Sequence, residues 1–218
     1  MSYSCLEELQ VDLDLHALDK TTVLSKAGCK CNEGWFVVTD DGICHLFDKN
    51  GNLNNVKKIT QLKEEYIRKD ITKIVIPNSI ISIRNYAFCN CSKLMSVTIP
   101  DSVKSIGDLA FKACRGLTNM TIPDSVTSIG EWAFANCSRL TNVVIPNNVT
   151  NIENAAFWDC SSLTSVTIPD SVTSIGERAF SLCSNLINLI FKDKTLKQVK
   201  KMTDYPWGIK DKSIIRVG

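Results

Sequence analysis

Five of the six prolines in this chain are spaced 23 residues apart, and this spacing constrains the fold more than any other feature. Other columns share the period, because every copy has an isoleucine before its proline, an Ala-Phe pair and a leucine. Such a period is typical of repeats that stack into a solenoid. The periodic residues include Pro77, Pro100, Pro123, Pro146 and Pro169, and Phe88, Phe111, Phe134, Phe157 and Phe180.

A single repeat cannot bury its own apolar side chains, so each copy must stack on its neighbours. The segment L-T-x-V-x-I alternates inward apolar and outward polar residues, which predicts a strand of a parallel sheet. Proline ends this strand because it cannot donate a ladder hydrogen bond, and the Asp-Ser or Asn-Ser that follows favours a turn. We interpret Gly107, Gly130 and Gly176 as permitting a tight second bend.

The pattern I-P-x-S-V-T-S-I-G-x-x-A-F-x-x-C-S-x-L-T resembles the BspA-type leucine-rich repeat, with five in-phase copies between Ile74 and Phe191. The resemblance implies a β-rich α/β solenoid: a right-handed leucine-rich-repeat solenoid with a parallel sheet, 23-residue repeats, and N- and C-terminal caps. Arg84 and Glu153 depart from the pattern by replacing its glycine. The family includes surface-associated bacterial and protozoal proteins, some implicated in adhesion to host matrix proteins. The resemblance therefore implies recognition and not catalysis.

The flanks of the repeats divide the chain into three predicted regions. Residues 1–69 are predicted to be an N-terminal β-rich capping region or small module, 70–192 the repeats, and 193–218 a C-terminal cap. Asp40-Asp41-Gly42 predicts a hairpin turn. The Tyr-Pro-Trp-Gly segment at 205–208 is interpreted as a buried cover for the end of the core, the alternative being an exposed aromatic anchor for a partner.

Charge and hydropathy restrict the partners and the location that we expect. The net charge is +2, and Lys and Arg are scattered among Asp and Glu, so neither nucleic acid nor an anionic membrane is expected as a partner. No secretory signal and no apolar run of about 18 residues is visible, so membrane insertion is not expected either. The default expectation is a cytoplasmic protein, while the resemblance implies a surface or secreted one. The oligomeric state stays open.

The ten cysteines raise the questions of disulfides and metal binding. In-register parallel side chains fit the S–S torsion poorly, so the periodic cysteines are predicted to be buried thiols. Cys29, Cys31 and Cys44, with Cys5, His16 and His45, form a zinc-ligand set on paper but lack the usual paired spacing, so no metal or cofactor is expected. The periodic cysteines are Cys91, Cys114, Cys137, Cys160 and Cys183.

Catalytic groups are sparse in the repeats. They contain no histidine, which excludes a Ser-His-Asp arrangement on the solenoid. Asp101 and Asp124 would stack one strand spacing apart and could bind a cation, but turn capping is the simpler role, because Asn78 and Asn147 take the same position elsewhere. We therefore predict no catalytic residue.

The outward positions of the predicted strands are the candidate binding surface, since this side is usually the concave binding face of such solenoids. They are equally consistent with residues chosen only for strand formation. The positions are Ser96, Thr98, Asn119, Thr121, Asn142, Val144, Ser165, Thr167, Asn188 and Ile190.

Two tryptophans depart from the repeat. Trp132 and Trp158 are candidate hot spots for a partner, or else pack between adjacent turns. The leading hypothesis is a non-catalytic interaction or adhesion module that binds a protein or glycan partner through the solenoid surface. The alternatives are a structural spacer or assembly element of a virion or surface appendage, and a metal-binding or enzymatic module in residues 1–69.

Overall fold

The chain folds as a parallel-strand β-solenoid of about six turns with repeats of about 23 residues, as seen in a computed structural model. The structure describes the backbone of residues 24–31, 34–39, 43–48, 58–59, 71–76 and 78–218. It describes the side chains of residues 71–76, except that of Val75, and of residues 78–218. The predicted fold class is confirmed.

The N-terminal strands join the repeats by main-chain pairing. They are β1 (Leu24–Cys31), β2 (Gly34–Thr39), β3 (Ile43–Asp48) and β4 (Lys58–Ile59). The pairs β1–β2 and β2–β3 are antiparallel, so the two strands predicted on either side of Asp40-Asp41-Gly42 pair as expected, whereas β1 was not predicted. The turn residues themselves lie outside the described residues. Strand β3 then runs parallel to the first repeat strand, with Ile43 opposite Lys73. The boundary between residues 69 and 70 stays a prediction.

One side of each coil is a strand that pairs in parallel with the strand of the next coil. The partners are 23 residues apart, as in the pair Asn142 and Ser165. The strands of this side are β5 (Lys73–Val75), β7 (Ser96–Thr98), β9 (Asn119–Thr121), β11 (Asn142–Val144), β13 (Ser165–Ile168), β15 (Asn188–Phe191) and β16 (Ile215–Val217). Together with the N-terminal strands they form two five-stranded sheets: β1, β2, β3, β5 and β7 make the first, and β9, β11, β13, β15 and β16 make the second.

A second side is a parallel sheet of two-residue strands that places one isoleucine of each coil in the core. Ile129 is fully buried and its register partners are Ile106 and Ile152. The strands are β4, β6 (Ser82–Ile83), β8 (Ser105–Ile106), β10 (Ser128–Ile129), β12 (Asn151–Ile152) and β14 (Ser174–Ile175).

The third side consists of turns that hydrogen-bond from coil to coil. The amides of Tyr86, Phe88 and Asn90 donate to carbonyls of the next coil at 2.7–2.8 Å, and later coils repeat the arrangement. The intervening amides close turns within the coil, as in Ala87 to Arg84 at 3.2 Å. This side therefore satisfies its main-chain donors without forming a strand.

Two residues in each coil of this turn side adopt a left-handed backbone. The first position holds side chains with no common chemistry, and the second is Asn or Asp in three coils of five, a residue type that tolerates this region. Sequence periodicity did not reveal the first position, because no residue type recurs there. The residues are Tyr86, Leu109, Trp132, Ala155 and Arg178, and then Asn90, Ala113, Asn136, Asp159 and Leu182.

The core is a set of apolar columns that run along the solenoid. The phenylalanine rings of successive coils stack with centroids 5.3–5.6 Å apart, and all five are buried. Isoleucine, valine, leucine and alanine columns fill the rest of the interior. Each coil thus buries its apolar side chains mainly against its two neighbours, as the repeat pattern predicts.

The repeat glycines have a different role from the one predicted. The backbone angle φ of Gly107, Gly130 and Gly176 is not left-handed, so these residues do not make the bend possible. Instead, a Cβ at Gly130 would lie 2.7 Å from Asp108 Oδ1 and 2.6 Å from the Gly107 carbonyl carbon. The interpretation as a conformational bend is wrong, because close approach of the preceding coil is what requires glycine.

An Asp or Asn in the preceding coil accompanies each of these glycines. Asp108 Oδ1 accepts a hydrogen bond from the Glu131 amide at 2.9 Å, which places the carboxylate beside Gly130. Asn85 and Asn154 make the same bond ahead of Gly107 and Gly176. In the third coil the position equivalent to Asp108 holds Glu131, which is neither Asp nor Asn. The coil that follows has Glu153 in place of the glycine. The departure at Glu153 therefore has a local cause.

The C-terminal segment covers the last coil. Thr195 caps a short helix, α1 (Leu196–Val199), and β16 extends the strand side by pairing with β15. Trp207 is completely buried, packs on Phe191 at 5.3 Å, and its carbonyl accepts the Phe180 amide at 3.1 Å. Residues 205–208 therefore cover the end of the core, as predicted. They do not form an exposed aromatic anchor.

The link between the aspartate and the glycine predicts a thermodynamic coupling. Gly130→Ala should destabilise the protein by about 2 kcal/mol, because the added methyl group overlaps the coil below it. In an Asp108→Glu background, which reproduces the pair Glu131 and Glu153, the same substitution should cost about 1 kcal/mol less. Denaturant unfolding of the four proteins of this cycle measures the coupling, and an equal cost in both backgrounds contradicts it.

The left-handed turn position predicts opposite effects at two adjacent alanines. Ala155 has φ = 52° and Ala156 does not lie in this region, yet both are buried. Ala155→Gly should leave stability unchanged or raise it by up to about 1 kcal/mol, because glycine removes the Cβ strain. Ala156→Gly should lower stability by about 1 kcal/mol. Thermal unfolding distinguishes them, and equal losses at both sites contradict the assignment.

Candidate functional site

The strand side presents its polar residues outward in register, as the alternation predicts. In β7, β9 and β11 the central residue is buried and both flanking residues are exposed. In β13 and β15 the outward residues are half-buried. We call the ten outward residues of β7, β9, β11, β13 and β15 named above the strand face. Val144 is the exposed apolar residue of the strand face, with 54% of its surface accessible.

The hydroxyl groups of the strand face differ from those of the neighbouring threonine column. Thr141 Oγ1 donates to the Thr118 carbonyl of the preceding coil at 3.0 Å, and Thr164 repeats this bond at 3.4 Å. Within the part of the chain that the structure describes, the hydroxyls of Thr98, Thr121 and Thr167 have no such intramolecular acceptor. These hydroxyls are therefore available to a partner.

Two grooves lie between the strand face and a turn after a proline, one at Pro146 and one at Pro100. One has a volume of about 340 Å³ and is lined by Asp124, Asn142, Val144, Thr167 and Lys192 among others. The other, of about 440 Å³, is lined by residues that include Asn78, Thr98 and Asp101. The columns of the strand and of the turn thus enclose shallow concave surfaces that expose amide, hydroxyl and carboxylate groups.

The two off-pattern tryptophans lie on the turn side and contact each other. Their ring centroids are 5.5 Å apart, and both side chains are half-buried. The Lys112 ammonium lies 5.1 Å from the Trp132 ring, and the Trp132 indole N–H donates to Glu131 Oε1 at 3.1 Å. Packing between adjacent turns, one of the two predicted roles, is therefore present. The partners Lys112 and Glu131 were not predicted, because no repeat pattern links them to the rings.

The periodic cysteines are thiols with a structural role. Each thiol from Cys114 to Cys183 donates to the carbonyl of the phenylalanine in the preceding coil, at 3.1–3.3 Å. Burial raises the pKa of Cys137 and of Cys183 to about 12, so neither is an activated nucleophile. Burial, with a contribution from Cys91 and Cys137, also raises the pKa of Cys114. The six cysteines with described side chains are in no disulfide.

The predicted zinc-ligand set consists of residues whose side chains the structure does not describe. Among the described side chains, no three His, Cys, Asp or Glu groups are close enough to hold a metal ion. The side chains of Cys29, Cys31, Cys44 and His45 are not among the described side chains, and Cys5 and His16 lie outside the described residues altogether. The zinc hypothesis for residues 1–69 therefore stays a prediction. Asp101 and Asp124 lie in exposed turns, which agrees with turn formation.

A family model confirms the resemblance on which the fold prediction rests. The model for the BspA type leucine rich repeat region matches residues 61–187, which is more than half of the chain. The chain belongs to the BspA-type leucine-rich repeat family. No curated protein matches it significantly. Among the described residues of this BspA-type protein, no helix has the length and apolar character of a membrane span.

Solved bacterial structures share the BspA-type fold. The T. pallidum leucine rich repeat protein TpLRR is 26% identical over 74% of this chain and 80% of its own, with a TM-score of 0.61. A leucine rich cell surface protein from Faecalibacterium prausnitzii is 28% identical over 77% of this chain and 55% of its own, with a TM-score of 0.50. The pneumococcal vaccine antigen PcpA is 20% identical over 79% and 51% respectively, with a TM-score of 0.56, and supports the fold alone. The chain spans about half the length of these last two proteins.

The raised thiol pKa values predict a loss of stability in alkali. Unfolded thiols ionise near their ordinary value of 9.0, whereas the Cys137 thiol in the folded protein stays protonated up to about pH 12. Stability from this group is therefore complete below the ordinary value and is lost as the pH rises from it towards the folded value. One pH unit above the ordinary value, the loss is about 1.4 kcal/mol for each buried thiol.

Cys137→Ala tests this dependence. The difference in free energy of unfolding between neutral and alkaline pH should shrink in the variant, because one buried thiol no longer ionises on unfolding. Val143→Ala is the control, since it removes buried methyl groups without removing an ionisable group. Denaturant titrations at the two pH values measure both differences. If the two variants change the pH dependence equally, buried thiols are not its cause.

Proposed function

We propose that this protein is a non-catalytic interaction or adhesion module whose strand face binds a protein or glycan partner. The observation that carries the proposal is the exposed, in-register array of outward side chains on β7, β9 and β11, together with the Thr98 and Thr121 hydroxyls, which have no intramolecular acceptor among the described residues. A regular array of short polar groups offers repeated hydrogen bonds at the strand spacing of about 4.8 Å. Val144 supplies an apolar contact among them.

Family membership supports a binding role, because solenoids of this kind use extended surfaces for recognition. The F. prausnitzii protein is described as a cell surface protein, and we propose a surface or secreted location for this chain by analogy. The absence of histidine from the repeats, and thiols held neutral by burial, support a non-catalytic protein. The strand-face residues, and any contribution from Trp132 and Trp158, are proposed binding residues.

The structure of the C-terminal cap gives less support to the alternative function, that of a structural spacer or assembly element. Such a protein would join its neighbours through its ends, but Trp207 already closes the core there. The edge strand β16 has only three residues and carries the exposed Arg216, a combination that disfavours edge-to-edge pairing. The covered core and the charged edge strand therefore favour the binding role over end-to-end assembly.

The test compares two triple variants on an array of matrix proteins and glycans. Ser96→Arg, Asn119→Arg and Asn142→Arg together place three bulky cations on the strand face. The control carries Ser92→Arg, Ser162→Arg and Asn185→Arg, in columns where Arg115 and Arg139 occur naturally. Both variants add the same charge, so a general electrostatic effect appears in both.

The expected result is a set of array ligands that wild type and control bind equally and that the strand-face variant binds at least about tenfold more weakly. Thermal unfolding checks that both variants stay folded. The proposal fails if wild type binds no array component, or if both variants lose binding to the same extent.

A further inference from the structure

The C-terminal cap has a charge that the whole-chain sum conceals. Residues 193–218 contain seven basic and three acidic side chains, a net of +4, whereas residues 71–192 contain nine basic and eight acidic ones. The expectation that the charges are evenly scattered therefore does not hold for the cap. Its basic residues are Lys194, Lys197, Lys200, Lys201, Lys210, Lys212 and Arg216, and its acidic residues are Asp193, Asp204 and Asp211.

The fold directs much of this charge away from the core. Val199, Trp207, Ile209 and Ile215 are the buried residues of the cap. The remaining residues of the cap are largely exposed, and they include Lys197, Lys200 and Lys201. Leu196 and Lys200 are four residues apart, as are Lys197 and Lys201, so these four side chains share one exposed face of helix α1 and of the turn that follows it. We call this surface the cap end face, made of Leu196, Lys197, Lys200 and Lys201.

Apolar side chains are exposed at the same end. Of the eight large hydrophobic side chains that are exposed among the described residues, four lie between residues 182 and 218. Leu196 is 41% exposed within the cap end face, and Val217 is 42% exposed on the edge strand beside Arg216. An apolar side chain surrounded by cations suits a surface that offers both anionic groups and a hydrocarbon interior.

We propose that the cap end face binds an anionic lipid surface, while the strand face stays free for its partner. Lysines next to anionic headgroups each add to the binding free energy, and Leu196 gains from contact with the acyl region. A single-stranded nucleic acid fits less well, because it requires exposed aromatic rings for stacking. Trp207 is buried and Tyr205 packs edge-on against it, so neither ring is open to a base.

The test is sedimentation of the full-length protein with vesicles. One set contains phosphatidylglycerol and phosphatidylcholine in equal amounts, and the other contains phosphatidylcholine alone. The protein should sediment with the first set only, and raised salt should release it. Sedimentation with both sets, or with neither, overturns the proposal.

Charge-reversal variants locate the surface. Lys197→Glu, Lys200→Glu and Lys201→Glu together should weaken vesicle binding by at least about a hundredfold, at roughly fivefold for each lysine lost. The matched control, Lys104→Glu, Arg115→Glu and Arg139→Glu, makes the same change of net charge on exposed residues of the repeats and should bind nearly as wild type. Equal losses in the two variants show that net charge alone causes binding, and overturn the proposal.

Leu196→Ser distinguishes lipid from other polyanions. The substitution leaves the charge unchanged and should weaken vesicle binding several-fold, while binding to short duplex DNA, used as a soluble polyanion, should not respond to it. If Leu196→Ser has no effect on vesicle binding, or if the wild-type protein binds the duplex more tightly than the anionic vesicles, the assignment to a lipid surface is wrong.

Discussion

Main-chain hydrogen bonding between successive coils is the interaction on which the rest of this structure depends. On the strand side and on the two-residue-strand side it takes the form of parallel sheets, and on the third side it joins one run of turns to the next. Because all three sides connect the same coils, the coil-to-coil spacing is fixed all around the solenoid. The stacked phenylalanines and the column of thiols follow from that spacing.

The spacing explains why small residues and short polar side chains recur at defined positions. A glycine lies where the backbone of the preceding coil comes too close for a Cβ. A carboxylate or amide one residue further along reaches the next coil and accepts its amide hydrogen. Where the side chain is glutamate, the next coil tolerates Glu153 at the glycine position. Apparent irregularity in the repeat is thus a paired adjustment between adjacent coils.

Sequence periodicity predicted the features that depend on recurring chemistry. In the columns concerned, the same residue type or the same polarity recurs every 23 residues. These columns predicted the phenylalanine stack, the buried Val97 and Val143, and the exposed Ser96 and Asn142. The role of Gly130 was not predictable in the same way, because both a bend and a close contact require glycine. Only the distance to the preceding coil separates the two.

The left-handed turn residues show a second limit. Trp132 and Arg178 have nothing in common as residue types, so the backbone conformation that they share leaves no periodic trace. The second left-handed position did carry a signal, since Asn90, Asn136 and Asp159 are residue types that adopt this conformation readily. Likewise, the contact of Lys112 with Trp132 depends on two adjacent coils at once. The sequence of one repeat alone therefore does not predict this contact.

On the turn side, hydrogen-bond donation runs in one direction, from each coil to the coil that follows, until the carbonyl of Trp207 accepts the Phe180 amide. Every internal coil therefore offers the same acceptors behind it and the same donors ahead of it. A whole 23-residue unit can be duplicated or deleted in the middle of the array while the same terminal segment still completes the last coil. Duplication of repeats can in this way lengthen the strand face in steps of one strand spacing, about 4.8 Å, while the same C-terminal segment still covers the core.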